Sequence, residues 1–296
     1  MKALQIDRFG PLESLQVREV PEGPLPSDSV RIAIEAAGVN PSDTGVALGR
    51  FAHATLPRIL GRDFAGTVIE GPAHLKGLPV WGSGGGILGM TRDGSHAEHM
   101  ILPQDAVITR PSRLTAQEAA AAGVPYVTAW SALVELGDFK AGQWAVVSGA
   151  AGAVGSAAVA LTKALGGHAI ALVLSTNDRA PLDAMGVDAV LRSDADDVPK
   201  AVAELTSGRG ADVALNAVGA PVFSMLSDSL AKGGRMVIFS ARSGGEVRLD
   251  LFAFYRRRLQ FYGLDTAAMP LAQIAQLFVK FGPLFESGAI APPPIA

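Results

Sequence analysis

The chain has 296 residues, 49% of them hydrophobic and 18% charged, which is enough apolar side chain for one large or two modest globular cores. Lys and Arg number 25 against 28 Asp and Glu, a net charge of −3, so no basic surplus exists to recruit nucleic acid or an anionic membrane. The complete lack of Cys excludes disulfides, thiolate nucleophiles and Cys-bearing zinc sites.

The opening MKALQIDRFG sets Asp7 and Arg8 where an export signal would need an apolar run, so the expected location is cytoplasmic. Apolar runs at 17–20, 29–36, 66–70, 78–81 and 99–102, punctuated by Gly and Pro, predict strands of an irregular, mostly antiparallel β domain. His96, Glu98 and His99 lie close in sequence, but on a strand His99 faces away from the other two, so three metal ligands do not converge. Thr115, with Glu118 three residues on, has the spacing of a capping box and marks the entry into an Ala-rich helical segment and a second domain.

Between Trp144 and Gly263, apolar strands at 144–148, 168–174, 189–192, 212–217, 235–240 and 259–263 alternate with helical patterns at 154–165, around 182, at 198–205 and at 222–230. Such alternation predicts a parallel sheet covered on both faces, and about six strands make a full dinucleotide-binding fold. Residues 141–162 carry no charge and are long enough to cross a bilayer, yet they read as strand, turn and small-residue helix, so no membrane contact is expected. A last amphipathic helix over 271–285 precedes Pro292 to Pro294.

The strand at 144–148 runs through Gly149, Ala150, Ala151, Gly152, Ala153, Val154 and Gly155 directly into its helix. A pyrophosphate can rest on a helix N-terminus only where backbone N–H groups are unobstructed, which requires small residues there. The pattern is A-x-G-x-x-G, with Ala150 in place of the first Gly of the usual fingerprint. A plain Gly-rich turn packing helix on strand would share it, but here strand, turn, helix and second strand come in the order that dinucleotide binding needs.

The end of the second strand distinguishes the two nicotinamide coenzymes. A carboxylate about 20 residues beyond the glycines would accept both ribose hydroxyls of NAD; this chain has Ser175, Thr176, Asn177, Asp178 and Arg179. Hydroxyls and a guanidinium suit a 2′-phosphate, so NADP(H) is expected, held by Ser175, Thr176 and Arg179, with Arg192 adding a second positive charge. The alternative is that both arginines are solvated and Asp178 offsets part of their field. Asn216, Gly219, Phe239, Ser240 and Leu264 fall on loops after the fourth to sixth strands, where ligands bind in this architecture, although each also reads as a turn or packing residue.

Four stretches in this order and spacing give a resemblance over nearly the whole chain: Gly38 to Asp43 (GVNPSD), Pro57 to Val68 (PRILGRDFAGTV), Thr128 to Trp130 (TAW) and the turn Gly149 to Gly155. With them the chain resembles the medium-chain dehydrogenase/reductase superfamily, in its zinc-free quinone oxidoreductase branch. The resemblance implies an α/β fold: a Rossmann doubly wound parallel sheet, residues 123–263, and a GroES-like, mostly antiparallel β substrate domain, residues 1–122, to which 264–296 return. It places Thr128 near the nicotinamide. The positions matching the Cys and His ligands of zinc-dependent relatives are Asn40 and Arg62, so no metal is expected. A guanidinium in a cleft is costly to leave unpaired, and Asp43 or Asp63 is expected to pair with it.

On this reading the candidate catalytic residues are Asn40, as a donor to an acceptor carbonyl, and Ser42, at the branch's Ser/Thr relay position. Asn40 also reads as a turn former before Pro41, and Ser42 as a helix cap. Gly45 stands where many members of the branch carry a Tyr, which removes one candidate acid. The expected function is NADPH-dependent hydride transfer to a quinone or an α,β-unsaturated carbonyl compound, a small electrophilic acceptor. The alternatives are an enoyl-CoA or acrylyl-CoA type reductase, and an NADPH-binding protein with vestigial catalysis. Arg256 to Arg258 read as a solvated face, or as a contact for an anionic substrate. The resemblance also implies a homodimer formed through the strand at 259–263.

Overall fold

The computed structural model describes residues 1–241 and 245–295, with the side chain of Thr176 outside the described residues. In chain order the elements begin with β1 (Lys2–Ile6), β2 (Gln16–Glu19), β3 (Ser29–Gly38), α1 (Pro41–Ala47), β4 (Arg58–Ile59), β5 (Asp63–Glu70) and β6 (Pro79–Ser83). There follow β7 (His99–Pro103), β8 (Ile108–Thr109), α2 (Ala116–Ala121), α3 (Gly123–Trp130), β9 (Trp144–Ser148), α4 (Ala153–Ala164), β10 (His168–Val173), α5 (Arg179–Ala184) and β11 (Ala189–Arg192). The last are α6 (Val198–Leu205), β12 (Ala211–Asn216), α7 (Ala220–Ser229), β13 (Leu230–Ile238), α8 (Leu251–Arg257), β14 (Gln260–Gly263) and α9 (Leu271–Ser287). The chain divides into two compact units, 1–127 with 266–296, and 128–265.

The first unit holds an antiparallel sheet in the order β7-β3-β5-β6-β8 and a smaller one in the order β2-β1-β4. Alternation drives the larger sheet: Val30 and Ile32 of β3, Phe64 and Val68 of β5, and Val80 of β6 turn inward and are buried. Each such side chain contributes about 1.5–3 kcal/mol by leaving water. The returning helix α9 lays Phe278, Phe281 and Phe285 edge-on around the indole of Trp81. Tyr126 meets Phe285 and donates its hydroxyl to the Ala291 carbonyl at 2.6 Å. The sequence expectation for the strand at 66–70 is three residues short at its start, and the extra length places Asp63 inside the sheet.

The second unit is built on a parallel sheet in the order β11-β10-β9-β12-β13-β14. Winding reverses between β9 and β12, the switch point at which ligands bind in open α/β sheets. Val146 and Val147 of β9, Ile170 and Leu172 of β10 and Leu215 of β12 are buried, as strands covered on both faces require. The uncharged stretch at 141–162 is β9, the glycine turn and α4, and among the described residues no helix is long and apolar enough to cross a membrane. One reading needs correction: Arg257 is not a freely solvated charge. It belongs to α8, and its guanidinium donates to the carbonyls of Ser227, Asp228 and Leu230, clasping the end of α7.

Candidate active site

Between β9 and α4 the turn exposes Ala151, Gly152 and Ala153, while Ala150 is buried and its N–H donates to the Leu172 carbonyl at 3.3 Å. Gly152 is the N-cap of α4 and has no side chain to cap it, so the first N–H groups of the helix are left for an anion. Gly155 cannot be larger: a Cβ there would stand 2.2 Å from the Gly149 carbonyl oxygen. The Ser148 hydroxyl donates to the Leu215 carbonyl at 3.0 Å and accepts from the Ala217 N–H at 2.9 Å, stapling the ends of β9 and β12 together at the switch point. A pyrophosphate fits this cradle, which offers backbone donors, no side-chain bulk and no acid.

At the end of β10, half-buried Ser175 accepts from the Asn177 N–H at 3.1 Å, shaping the turn into α5. Arg179 is exposed and reaches Asp183 at 3.3 Å, four residues along α5. Arg192 ends β11 beside Val173 and grips Asp194 with two bonds of 3.0 and 2.7 Å. Both guanidiniums thus carry a carboxylate neighbour, but pairs this exposed are worth only about 0–1 kcal/mol, and a phosphate dianion can draw them away. The expected contact from Thr176 lies outside the described residues.

The carboxyl ends of β12, β13 and β14 carry the other expected contacts. Asn216 is fully buried and is committed to its own loop: Oδ1 accepts from the N–H groups of Val218 and Gly219 at 3.1 and 2.7 Å, and Nδ2 donates to the Gly219 carbonyl at 3.0 Å. It therefore shapes the loop, in which Ala217 and Val218 are half-buried and Gly219 is buried. The Phe239 N–H donates to the Asn216 carbonyl at 3.2 Å and the Leu264 N–H to that of Ile238 at 2.9 Å, so Phe239 and Leu264 extend the sheet's register at this end; Ser240 follows, and all three are half-buried. Thr128 is buried within α3.

The first unit brings together side chains from three segments and a backbone N–H from a fourth. Asn40, Asp43, Arg62 and Asp63 are all buried, at 9%, 3%, 3% and 1% exposure. Asn40 is the N-cap of α1, its N–H donating to Asp43 Oδ2 at 2.7 Å, and its side-chain Nδ2 donates to Asp63 Oδ2 at 2.8 Å. Ser42 lies inside the helix and is not its cap. The Val124 N–H, in the first turn of α3, adds a second 2.8 Å bond to Asp63 Oδ2. Gly123 makes room for this carboxylate, since a Cβ there would lie 2.3 Å from the Asp63 Cγ. Arg62 donates from Nη1 to Ser42 Oγ at 3.2 Å, and its charge acts on both Asp43 and Asp63.

Two carboxylates buried around one guanidinium cannot both ionise freely. Burial pushes the Asp43 carboxyl up to about 6, and the Asp63 charge adds to this; the Asn40 N–H, His96 and Arg62 pull the other way. Burial also raises Asp63, opposed by Ser83, the Val124 N–H, Arg62 and Asn40. His96, weighed in the sequence only as a metal ligand, belongs to this cluster: its Nε2 donates to the Gly38 carbonyl at 3.0 Å, leaving Nδ1 buried with no partner among the described residues. His99 and Glu98 go elsewhere, to Glu22 and the Lys2 N–H. Among the described residues no three His, Asp or Glu are grouped to hold a metal. The signal for the cluster was present in GRDFAG, but nothing local tied it to His96 or Gly123.

Comparison with known proteins matches residues 26–112 to the alcohol dehydrogenase GroES-like domain and residues 153–280 to the zinc-binding dehydrogenase family. A zinc-type alcohol dehydrogenase-like protein of Schizosaccharomyces pombe is 35% identical over 277 residues, 93% of this chain and 81% of that protein. A mycocerosic acid synthase-like polyketide synthase of Mycolicibacterium smegmatis is 31% identical over 293 residues, 97% of this chain but only 14% of that protein. Among solved structures, an NAD-dependent alcohol dehydrogenase superposes with a TM-score of 0.90 at 28% identity, covering 99% of this chain and 91% of the other. A quinone oxidoreductase of Pseudomonas syringae pv. tomato does so at 0.84 and 26%, covering 98% and 89%.

Proposed function

The chain belongs to the medium-chain dehydrogenase/reductase superfamily, in its quinone oxidoreductase branch, and from this premise we propose that it is a zinc-independent, NADPH-dependent reductase of quinones or α,β-unsaturated carbonyl compounds. One observation carries the reading: Asn40 and Arg62, at the positions that bear metal ligands in zinc-dependent relatives, are hydrogen-bonded to Asp63 and Ser42 instead. Polarisation of the acceptor then falls to hydrogen bonds. Ser42 and the second amide hydrogen of Asn40 are the donors available for it.

When bound, NADPH supplies the hydride. The glycine turn and α4 would hold the pyrophosphate, and Ser175, Thr176, Arg179 and Arg192 the 2′-phosphate. No carboxylate ends β10 to favour NADH, which supports NADPH although one structural relative is described as NAD-dependent. The acceptor carbon takes the hydride, its displaced electron pair moves onto the carbonyl oxygen, and a proton completes the two-electron reduction.

Fluorescence titration with NADPH and NADH, followed by NADPH oxidation with 9,10-phenanthrenequinone and a simple enone, tests this reading. Preference for NADPH with turnover of either acceptor is the expected result; binding of neither coenzyme overturns it. Tight binding with no oxidation across acceptors marks a non-catalytic NADPH-binding protein. The match to part of a polyketide synthase favours a second reading, an α,β-unsaturated acyl thioester as acceptor, which turnover of thioesters with none of quinones would establish.

We further infer a cytoplasmic homodimer. β14 ends its sheet with an open edge, and α8 beside it exposes Leu251, Phe252 and Tyr255 at 68%, 66% and 59%. Sedimentation as a monomer of 30.5 kDa would refute the dimer.

A further inference from the structure

We propose that Arg62 is a positioning residue for the reduction, acting through the Ser42 hydroxyl to keep a fixed positive charge behind the acceptor oxygen that becomes negative. The inference rests on the reductase reading above and supplies the electrostatic partner which that reading leaves open.

The geometry assigns separate tasks to the two side chains. Arg62 is only 3% exposed and cannot itself meet a substrate, whereas Ser42 is half-buried and faces partly outward. Because Ser42 Oγ accepts from Arg62 Nη1 at 3.2 Å, its own hydrogen is directed elsewhere, and no acceptor for it occurs among the described residues. A hydroxyl that accepts from a cation is a stronger donor to an anion, since each bond in such a chain polarises the next. A donor fixed in place before reaction needs no reorganisation as charge develops.

The surroundings hold this pair in position. Asp63 is anchored by Asn40 Nδ2 and the Val124 N–H, so the carboxylate on which the Arg62 charge acts is held in place. Arg is also suited where Lys is not, because its charge is permanent and its N–H groups point in fixed directions. Four groups face Asp43: Asp63 from β5, Arg62 just before it, His96 from the segment leading into β7, and the Asn40 N–H at the cap of α1. Ionised Asp43 offsets the Arg62 field at Ser42; protonated Asp43 leaves it in place. Turnover is therefore expected to fall as pH rises through the Asp43 titration near 6, and Asp43→Asn to flatten that fall. Were Asp43 the proton donor, the same variant would abolish turnover instead.

The reduction balances with the residues named. A C–H bond forms at the acceptor as one breaks on the nicotinamide, the carbonyl electron pair moves onto oxygen opposite the Ser42 hydroxyl, and a proton from water completes the product while NADPH becomes NADP⁺.

The test uses the 296-residue chain with and without NADPH. With 9,10-phenanthrenequinone as acceptor, Ser42→Ala and Arg62→Lys should each lower kcat tenfold or more and change KM less than threefold. The double variant should be no worse than either single change, and Ser42→Thr should restore most of the rate. Independently of the coenzyme, 4-nitrophenol added to the wild type should show a raised ionised fraction at fixed pH by its absorbance, lost in Ser42→Ala and kept in Ser42→Thr. Wild-type kcat in folded Arg62→Lys, multiplicative losses in the double variant, or an unchanged nitrophenol absorbance on wild-type protein would each overturn the proposal. Should Arg62→Lys not fold, the Ala and Thr changes at Ser42 decide it. Failure of coenzyme binding defeats the reductase reading alone, because the nitrophenol measurement does not depend on it.

Discussion

The glycine turn of the second unit and the charged cluster of the first make opposite use of side chains. The turn works by omission: Gly152 and Gly155 strip away everything but backbone, and the N-terminus of α4 presents bare N–H groups. The cluster works by accumulation, with Asn40, Asp43, Arg62, Asp63 and His96 from three segments crowded into one largely buried space. A backbone site is set by steric exclusion and is indifferent to pH, while a side-chain site is set by charge balance and is sensitive to it.

The largest expected effect separates them most sharply. Asp63→Ala leaves the buried Arg62 charge without the carboxylate it balances and strands Asn40 Nδ2 and the Val124 N–H, so unfolding should become easier by about 3–5 kcal/mol, read as a lowered urea midpoint.

Next comes pH. Asp43 holds its proton up to about 6 when folded against an ordinary 3.8, so the folded state binds more protons between these values and stability falls as pH rises through them. The loss is on the order of 3 kcal/mol, and Asp43→Asn, which cannot ionise, should narrow the difference in Tm between pH 4 and pH 7.

On the backbone side, Gly155→Val drives a side chain into the Gly149 carbonyl. It should cost about 2 kcal/mol in thermal unfolding and abolish NADPH binding, with no change in the pH profile of stability. The smallest expected effect is that of Arg179→Ala, which should weaken NADPH against NADH by about tenfold, roughly 1.4 kcal/mol, while leaving Tm unchanged. An unaltered coenzyme ratio would move the 2′-phosphate contact to Arg192.

These differences also explain what the sequence could convey. The turn was legible because its requirements are local: small residues at fixed spacing between a strand and a helix that announce themselves by periodicity. The parallel strands were legible as continuous apolar runs. α1 was not, because Asn40 and Pro41 suit a turn as well as a cap, and only the bond from the Asn40 N–H to Asp43 shows which it is. α8 was hidden because Leu251, Phe252 and Tyr255 face outward, opposite to the pattern that marks a core helix. Arg257 and His96 find partners 30 and 58 residues away, a distance at which residue type carries no information about contact.

The return of 266–296 to the first unit has a consequence for biosynthesis. Trp81 and Tyr126 wait for Phe278, Phe281 and Phe285, which emerge from the ribosome only after all of 128–265. The usual N-to-C order of domain maturation is thereby inverted, and the later segment should become protease-resistant first. Nascent chains stalled with Asp265 outside the exit tunnel should yield a protected fragment of the second unit while the preceding residues are digested.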